Sequence, residues 1–212
     1  MIMRGRLERT ARMLAVGGLA LTSMVAVSAA GAGAAARSEV PLSGPHVFGW
    51  GVDSPASVSS DGTHVWIANS DNSVIELNAR TGTLVRVLRA PKFGFHGPDA
   101  ISSDGTHVWV TNNGNNSVTE LDASTGALVQ VLKGTSFGFS GPDGISSDGT
   151  HVWVANFSGD SVTELDAAPG ALIKILDGSR YGFGSPSGID SDGTNVWVTN
   201  SAGGSVTGFP AG

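Results

Sequence analysis

Three histidines recur in one setting. His64, His107 and His151 each stand three residues after an aspartate (Asp61, Asp104, Asp148) and two before a tryptophan (Trp66, Trp109, Trp153). Neutral imidazole nitrogens are common metal ligands, so equivalent histidines are candidates for a shared ion. The fourth copy of the setting carries Asn195, between Asp192 and Trp197. A site shared by all copies would therefore be incomplete, and the simpler role for imidazole or amide is a hydrogen bond to a neighbouring loop.

A second set of candidates lies where the copies differ. The residue after a proline near the start of each copy is Ala56, Asp99, Asp143 or Ser187 in turn. Carboxylates at Asp99 and Asp143 would suit a hard cation such as Ca²⁺ or Mg²⁺, with Ser187 beside them, or would stand as solvated channel groups. Three connecting loops place aromatics around a glycine: Phe93, Phe95 and His96 in one, Phe137 and Phe139 in the next, Arg180, Tyr181 and Phe183 in the third. Such loops read either as a recognition face or as caps on a hydrophobic core. No P-loop or H-E-x-x-H motif is present, and the chain has no cysteine.

What must position these residues is a repeat. SSDGTHVW occupies 59–66, 102–109 and 146–153, and DSDGTNVW occupies 190–197, so the tryptophans Trp66, Trp109, Trp153 and Trp197 are spaced 43, 44 and 44 apart. Within one unit, Ile101–Ser103, His107–Thr111, Ser117–Leu121 and Ala127–Leu132 read as short strands, rich in β-branched residues and separated by Asp-Gly, Asn-Gly and similar turns. Four antiparallel strands in about 44 residues make one propeller blade, whose apolar faces are buried only by stacking on neighbours. The expected fold is all-β: a β-propeller, most simply of four blades. The residues found in every copy are its framework: Asp61, Asp104, Asp148 and Asp192 in the turns, the four tryptophans, and Asn69, Asn112, Asn156 and Asn200 at the ends of the second strands.

The words GPDGISSDGTHVWVAN (141–156) and SVTELD (117–122 and 161–166) resemble the bacterial YVTN-type propeller repeats, close to the NHL group. Trp109 and Trp153 stand where that family usually has tyrosine, and the likeness spans residues 48–212. It implies a fold and leaves function open, since such propellers serve many ends. The resemblance extends to streptogramin-cleaving lyases and gluconolactonase-like hydrolases. These need histidine and glutamate, or carboxylates around a divalent metal, converging at the channel. Here Glu76, Glu120 and Glu164 are repeat-equivalent third-strand residues, expected to lie away from the axis. A non-catalytic binding scaffold is thus the leading reading, with a metal-dependent lyase or lactonase, or a structural envelope protein, as alternatives.

Repeats run over about 54–96, 97–140, 141–184 and 185–212. The last copy stops one strand short, and residues 38–43 align with the missing strand. Two arrangements follow: the N-terminal strand, within 38–53, completes the last blade and closes a four-bladed ring, or two chains pair into an eight-bladed one. A third outcome, a shortened paralogue that folds poorly, also fits the count.

Residues 1–36 read as an export signal. Arg4, Arg6, Arg9 and Arg12 precede an apolar run from Met13 to about Ala30 and the small-residue stretch GAGAAA. An uncleaved anchor is the alternative, because 18 apolar residues approach a membrane span. Cleavage after Ala36 removes four arginines and one glutamate, taking the formal charge from −6 to −9. A secreted or extracytoplasmic product is expected. Its acidic body without a basic cluster argues against nucleic acid and anionic lipid as partners, leaving a protein, small-molecule or glycan ligand.

Overall fold

A computed structural model describes residues 41–49, 53–89 and 91–212. The export-signal reading of 1–36 lies outside them. Among the described residues no helix is long and apolar enough to cross a membrane.

Among the described residues the β-branched runs form fifteen strands in four antiparallel sheets, each in simple chain order. Blade 1 holds β1 (Pro55–Ser60), β2 (His64–Asn69), β3 (Ser73–Asn78) and β4 (Leu84–Leu88). Blade 2 holds β5 (Pro98–Ser103), β6 (His107–Asn112), β7 (Ser117–Asp122) and β8 (Leu128–Lys133). Blade 3 holds β9 (Pro142–Ser147), β10 (His151–Asn156), β11 (Ser161–Asp166) and β12 (Leu172–Leu176). Among the described residues blade 4 has β13 (Pro186–Ser191), β14 (Asn195–Asn200) and β15 (Ser205–Pro210).

The repeated word builds both the turn and the joint between blades. In the turn from β5 to β6, Asp104 Oδ1 accepts the backbone N–H of Thr106 and His107, at 2.8 Å each. Gly105 follows at φ +86°, a conformation that favours glycine. The other oxygen, Oδ2, accepts Ser147 Oγ–H of blade 3 at 2.8 Å, while Ser102 Oγ accepts the Ser147 backbone N–H at 3.0 Å. The same latch joins Asp61 and Ser59 to Ser103, and Asp148 and Ser146 to Ser191. One aspartate thus fixes its own hairpin and grips the next blade.

Apolar side chains fill each joint. Trp66, Ala68 and Val74 of blade 1 pack with Ile101, Val108 and Leu121 of blade 2. Trp109 and Val118 meet Ile145, Val152 and Leu165 of blade 3. Trp153 and Val162 meet Val196, Val198 and Phe209 of blade 4. All three of these tryptophans are 0% exposed, so each joint buries a large ring.

The fourth joint differs. β1 packs on β5, β5 on β9 and β9 on β13, but among the described residues β13 is not packed on β1 in this way. Trp197 is 54% exposed and Val206, equivalent to the buried Val74, Val118 and Val162, is 63% exposed. On the other free face Val58 is 64% exposed, against 5% for its equivalent Ile101. The expected closing strand does not form over 41–43, and 38–40 lie outside the described residues. The physical reason is local. An edge strand tolerates Pro41, but the Leu42 N–H donates to Arg80 O at 3.0 Å, holding the segment on a turn of blade 1 instead of beside β15.

Candidate functional site

The first strand of every blade is interrupted at the same place. In β5, Pro98 pairs with Asn112 and Ile101 with Val110, so Asp99 and Ala100 share an irregularity in the ladder. In β9 the shift falls between Pro142 and Gly144, leaving Asp143 unpaired. β1 and β13 shift likewise around Ala56 and Ser187. A bulge re-aims the side chain it carries. Here Ala56, Asp99, Asp143 and Ser187 are brought together on the wall of one open cavity of about 370 Å³, reached by all four first strands.

The Asp99 and Asp143 carboxyls are neighbours on the wall of this axial cavity. Burial, then the neighbouring carboxyl of Asp99, push Asp143 from the ordinary 3.8 up to about 7. Adjacent carboxylates do not both ionise cheaply, so Asp143 keeps its proton toward neutrality. Ser187 Oγ is engaged with Thr199 Oγ1 at 3.3 Å and Ser201 Oγ at 3.0 Å. Gly144 lies next to Asp143, and a Cβ there would come 2.1 Å from Ser187 O. That contact lets β13 approach β9 closely beside the acidic pair.

The three repeated histidines are held elsewhere, each within its own blade. His64 Nδ1 is 3.2 Å from Asp61 Oδ2 and its Nε2 is 3.9 Å from Glu76 Oε1. His107 lies between Asp104 and Glu120, and His151 between Asp148 and Glu164, at 3.7–3.9 Å. A fourth-strand residue completes each set: Arg86 on Glu76 at 2.7 Å, Gln130 on Glu120 at 2.6 Å, Lys174 on Glu164 at 2.8 Å. Burial raises the Glu76 and Glu120 carboxyls above their usual range, against the pull of Arg86 and His64 in one blade and of Gln130 and His107 in the other. Blade 4 has Asn195 and Gly208 at these positions and no such set. Among the described residues no group of three or more histidines and carboxylates is arranged to hold a metal ion.

The turn aspartates behave as framework. Burial alone would raise Asp61, but the N–H groups of His64 and Thr63 and the hydroxyl of Ser103 outweigh it and lower the carboxyl. Asp148 is lowered in the same manner. Asn112, Asn156 and Asn200 each donate to a third-strand threonine at 2.9–3.0 Å and accept a loop N–H at 3.3 Å. In blade 1 Ile75 stands in the place of that threonine, and Asn69 donates to Ser73 Oγ at 3.1 Å.

The loop aromatics stack in pairs, with centroids 5.2–5.4 Å apart for Phe93–Phe95, Phe137–Phe139 and Tyr181–Phe183. Phe93, Phe95 and Phe139 are buried in the joints between blades, so they cap the core and present little surface to a ligand. His96 packs against Gly114. Arg180 lies over the Tyr181 ring, 4.4 Å from its centroid, and donates to its hydroxyl. Sequence reasoning did not single out the latch serines Ser60, Ser103, Ser147 and Ser191, although their presence in every copy was a visible signal.

No protein-family model matches the chain, and no curated protein matches it by sequence. Solved structures do match the fold. The computationally designed Ika4 protein superposes at TM-score 0.61 with 16% identity, over 83% of this chain and 99% of that one. The WD40 repeats of RRP9 give 0.57 and 16%, over 74% of this chain and 51% of that one. The chain is a four-bladed β-propeller. A catalytically inactive virginiamycin B lyase from Staphylococcus aureus, solved with quinupristin, gives 0.56 and 19%, over 74% of this propeller and 55% of the lyase. The chain therefore spans about half the length of the RRP9 and lyase chains. At these identities the likeness concerns fold alone.

Proposed function

We propose that this propeller is an exported, non-catalytic binding scaffold of the YVTN/NHL kind, taking a cationic group of its ligand at the axial cavity. One observation carries the reading: four bulges deliver the four variable positions of the repeat to one cavity, and two of them are neighbouring carboxyls, with Asp143 held above its ordinary range. An incoming ammonium, guanidinium or divalent cation would displace the Asp143 proton and offer both carboxylates a partner. Ca²⁺ or Mg²⁺ is one such cation, although two carboxylates supply only part of the six to eight oxygens that Ca²⁺ takes.

The lyase or lactonase alternative has weaker support. Acid–base chemistry needs a second proton-transfer group within hydrogen-bond reach of the reacting centre. His64, His107 and His151 are engaged with their own Asp–Glu pairs, and the residues lining the axial cavity include no histidine.

Titration calorimetry with Ca²⁺, with Mg²⁺ and with a short lysine-terminated peptide tests the reading. Because Asp143 loses its proton near 7, binding is expected to be several-fold tighter at about pH 8 than at about pH 6. It is expected to vanish in Asp99→Asn/Asp143→Asn. No binding by any of the three, or equal binding by the double variant, would remove the axial site as the seat of recognition.

A further inference from the structure

The two free faces of the molecule are matching halves of a joint it already makes three times. Blade 4 presents Trp197 and Val206, the counterparts of Trp66 and Val74, which pack against blade 2. Blade 1 presents Val58, the counterpart of Ile101, beside an apolar cavity of about 340 Å³ lined by Phe48, Pro55, Ile67 and Leu77. The polar latch is also present in two halves. Ser60 stands at the position of Ser103, Ser147 and Ser191, and Asp192 at that of Asp61, Asp104 and Asp148.

Neither half meets its counterpart within the chain. Ser60 Oγ donates to its own His64 O at 3.1 Å. Asp192 is lowered by the N–H groups of Asn195 and Thr194 in its own turn, where Asp61 and Asp148 also draw on a serine of the next blade.

Geometry limits what can seal such a joint. Among the described residues β13 does not pack on β1 as the other first strands pack on one another, so one chain leaves this joint unsealed. Propellers run from about four to eight blades, so identical four-bladed chains close within that range only as a pair.

We propose that a second copy of the chain docks on both free faces, blade 4 of each on blade 1 of the other, forming a two-fold ring of eight blades. Each new joint buries Trp197 and Val206 against Val58, and the Ser60 hydroxyl and N–H of one copy reach Asp192 and Asp190 of the other. Although each contact pairs unlike surfaces, the two-fold axis makes two identical joints and leaves no free face, so association stops at the dimer.

The chain has no cysteine, which makes crosslinking clean. Ser60→Cys/Asp192→Cys, mildly oxidised, is expected to run as a covalent dimer without reductant and as a monomer with it. Asp61→Cys/Ser103→Cys, across an internal joint, is the intrachain control. A disulfide at monomer mass would mean that one chain closes on itself and would overturn the proposal. Free thiols in a monomer, or a ladder of higher oligomers, would overturn it equally. Val58→Glu supplies a second measure: a folded chain, judged by fluorescence of its buried tryptophans, is expected at half the wild-type mass. Equal masses for the two proteins would contradict the docking.

Discussion

Each turn aspartate uses its two oxygens for different tasks, and the fourth copy separates them. Asp104 Oδ1 closes the hairpin and Oδ2 grips Ser147, whereas Asp192 serves its own turn. Hydrogen bonds to a charged group contribute about 1.5–3 kcal/mol each, so Asp104→Ala is expected to cost about 2–4 kcal/mol in urea unfolding. Asp192→Ala loses only the turn bonds in a single chain and is expected to cost less under dilute, monomeric conditions. Equal losses would argue against the latch.

Asp143 gives a prediction of opposite sign. Its folded value of about 7 exceeds the ordinary 3.8, so between those values the folded chain keeps a proton that the unfolded chain has released. Stability therefore falls as pH rises through that window. Asp143→Asn is expected to flatten the decline and to gain most over wild type near pH 8, read from urea midpoints at about pH 4 to 8. A parallel pair of curves would mean that Asp143 does not keep its proton toward neutrality. The residues of this pair were legible in the sequence as the variable position of the repeat. Their place at the channel was expected from the position of the first strands; the bulge that re-aims them was not read, because it depends on ladder register.

Among the elements, the second strand of each blade carries most of the cohesion. Trp109 is fully buried between blades 2 and 3, and its truncation to alanine is expected to cost about 3–5 kcal/mol. Trp197 occupies the same place in β14 but lies on a free face, so Trp197→Ala is expected to cost well under that in a monomer. Thermal unfolding of the two variants at low protein concentration separates these outcomes. The strands themselves were readable because Val, Trp and Thr alternate between Asp-Gly and Asn-rich turns. The strand expected over 38–43 was inferred from alignment of the Phe-Gly-aromatic loops alone. Alignment does not register that the Leu42 N–H is satisfied by Arg80 O.

For the whole molecule, the period of the repeat conveyed blade count and fold, while the fourth joint was not legible, because it depends on how blade 4 meets blade 1. Three latched joints and one exposed Trp–Val surface leave two complementary faces among the described residues. Pairing of two chains would bring two axial cavities, each with its Asp99–Asp143 pair, around one central channel. Sedimentation equilibrium of the purified wild-type chain tests this assembly most directly. The expected result is a single species of twice the chain mass that dissociates in Val58→Glu. A wild-type protein that stays monomeric at every concentration measured would contradict it.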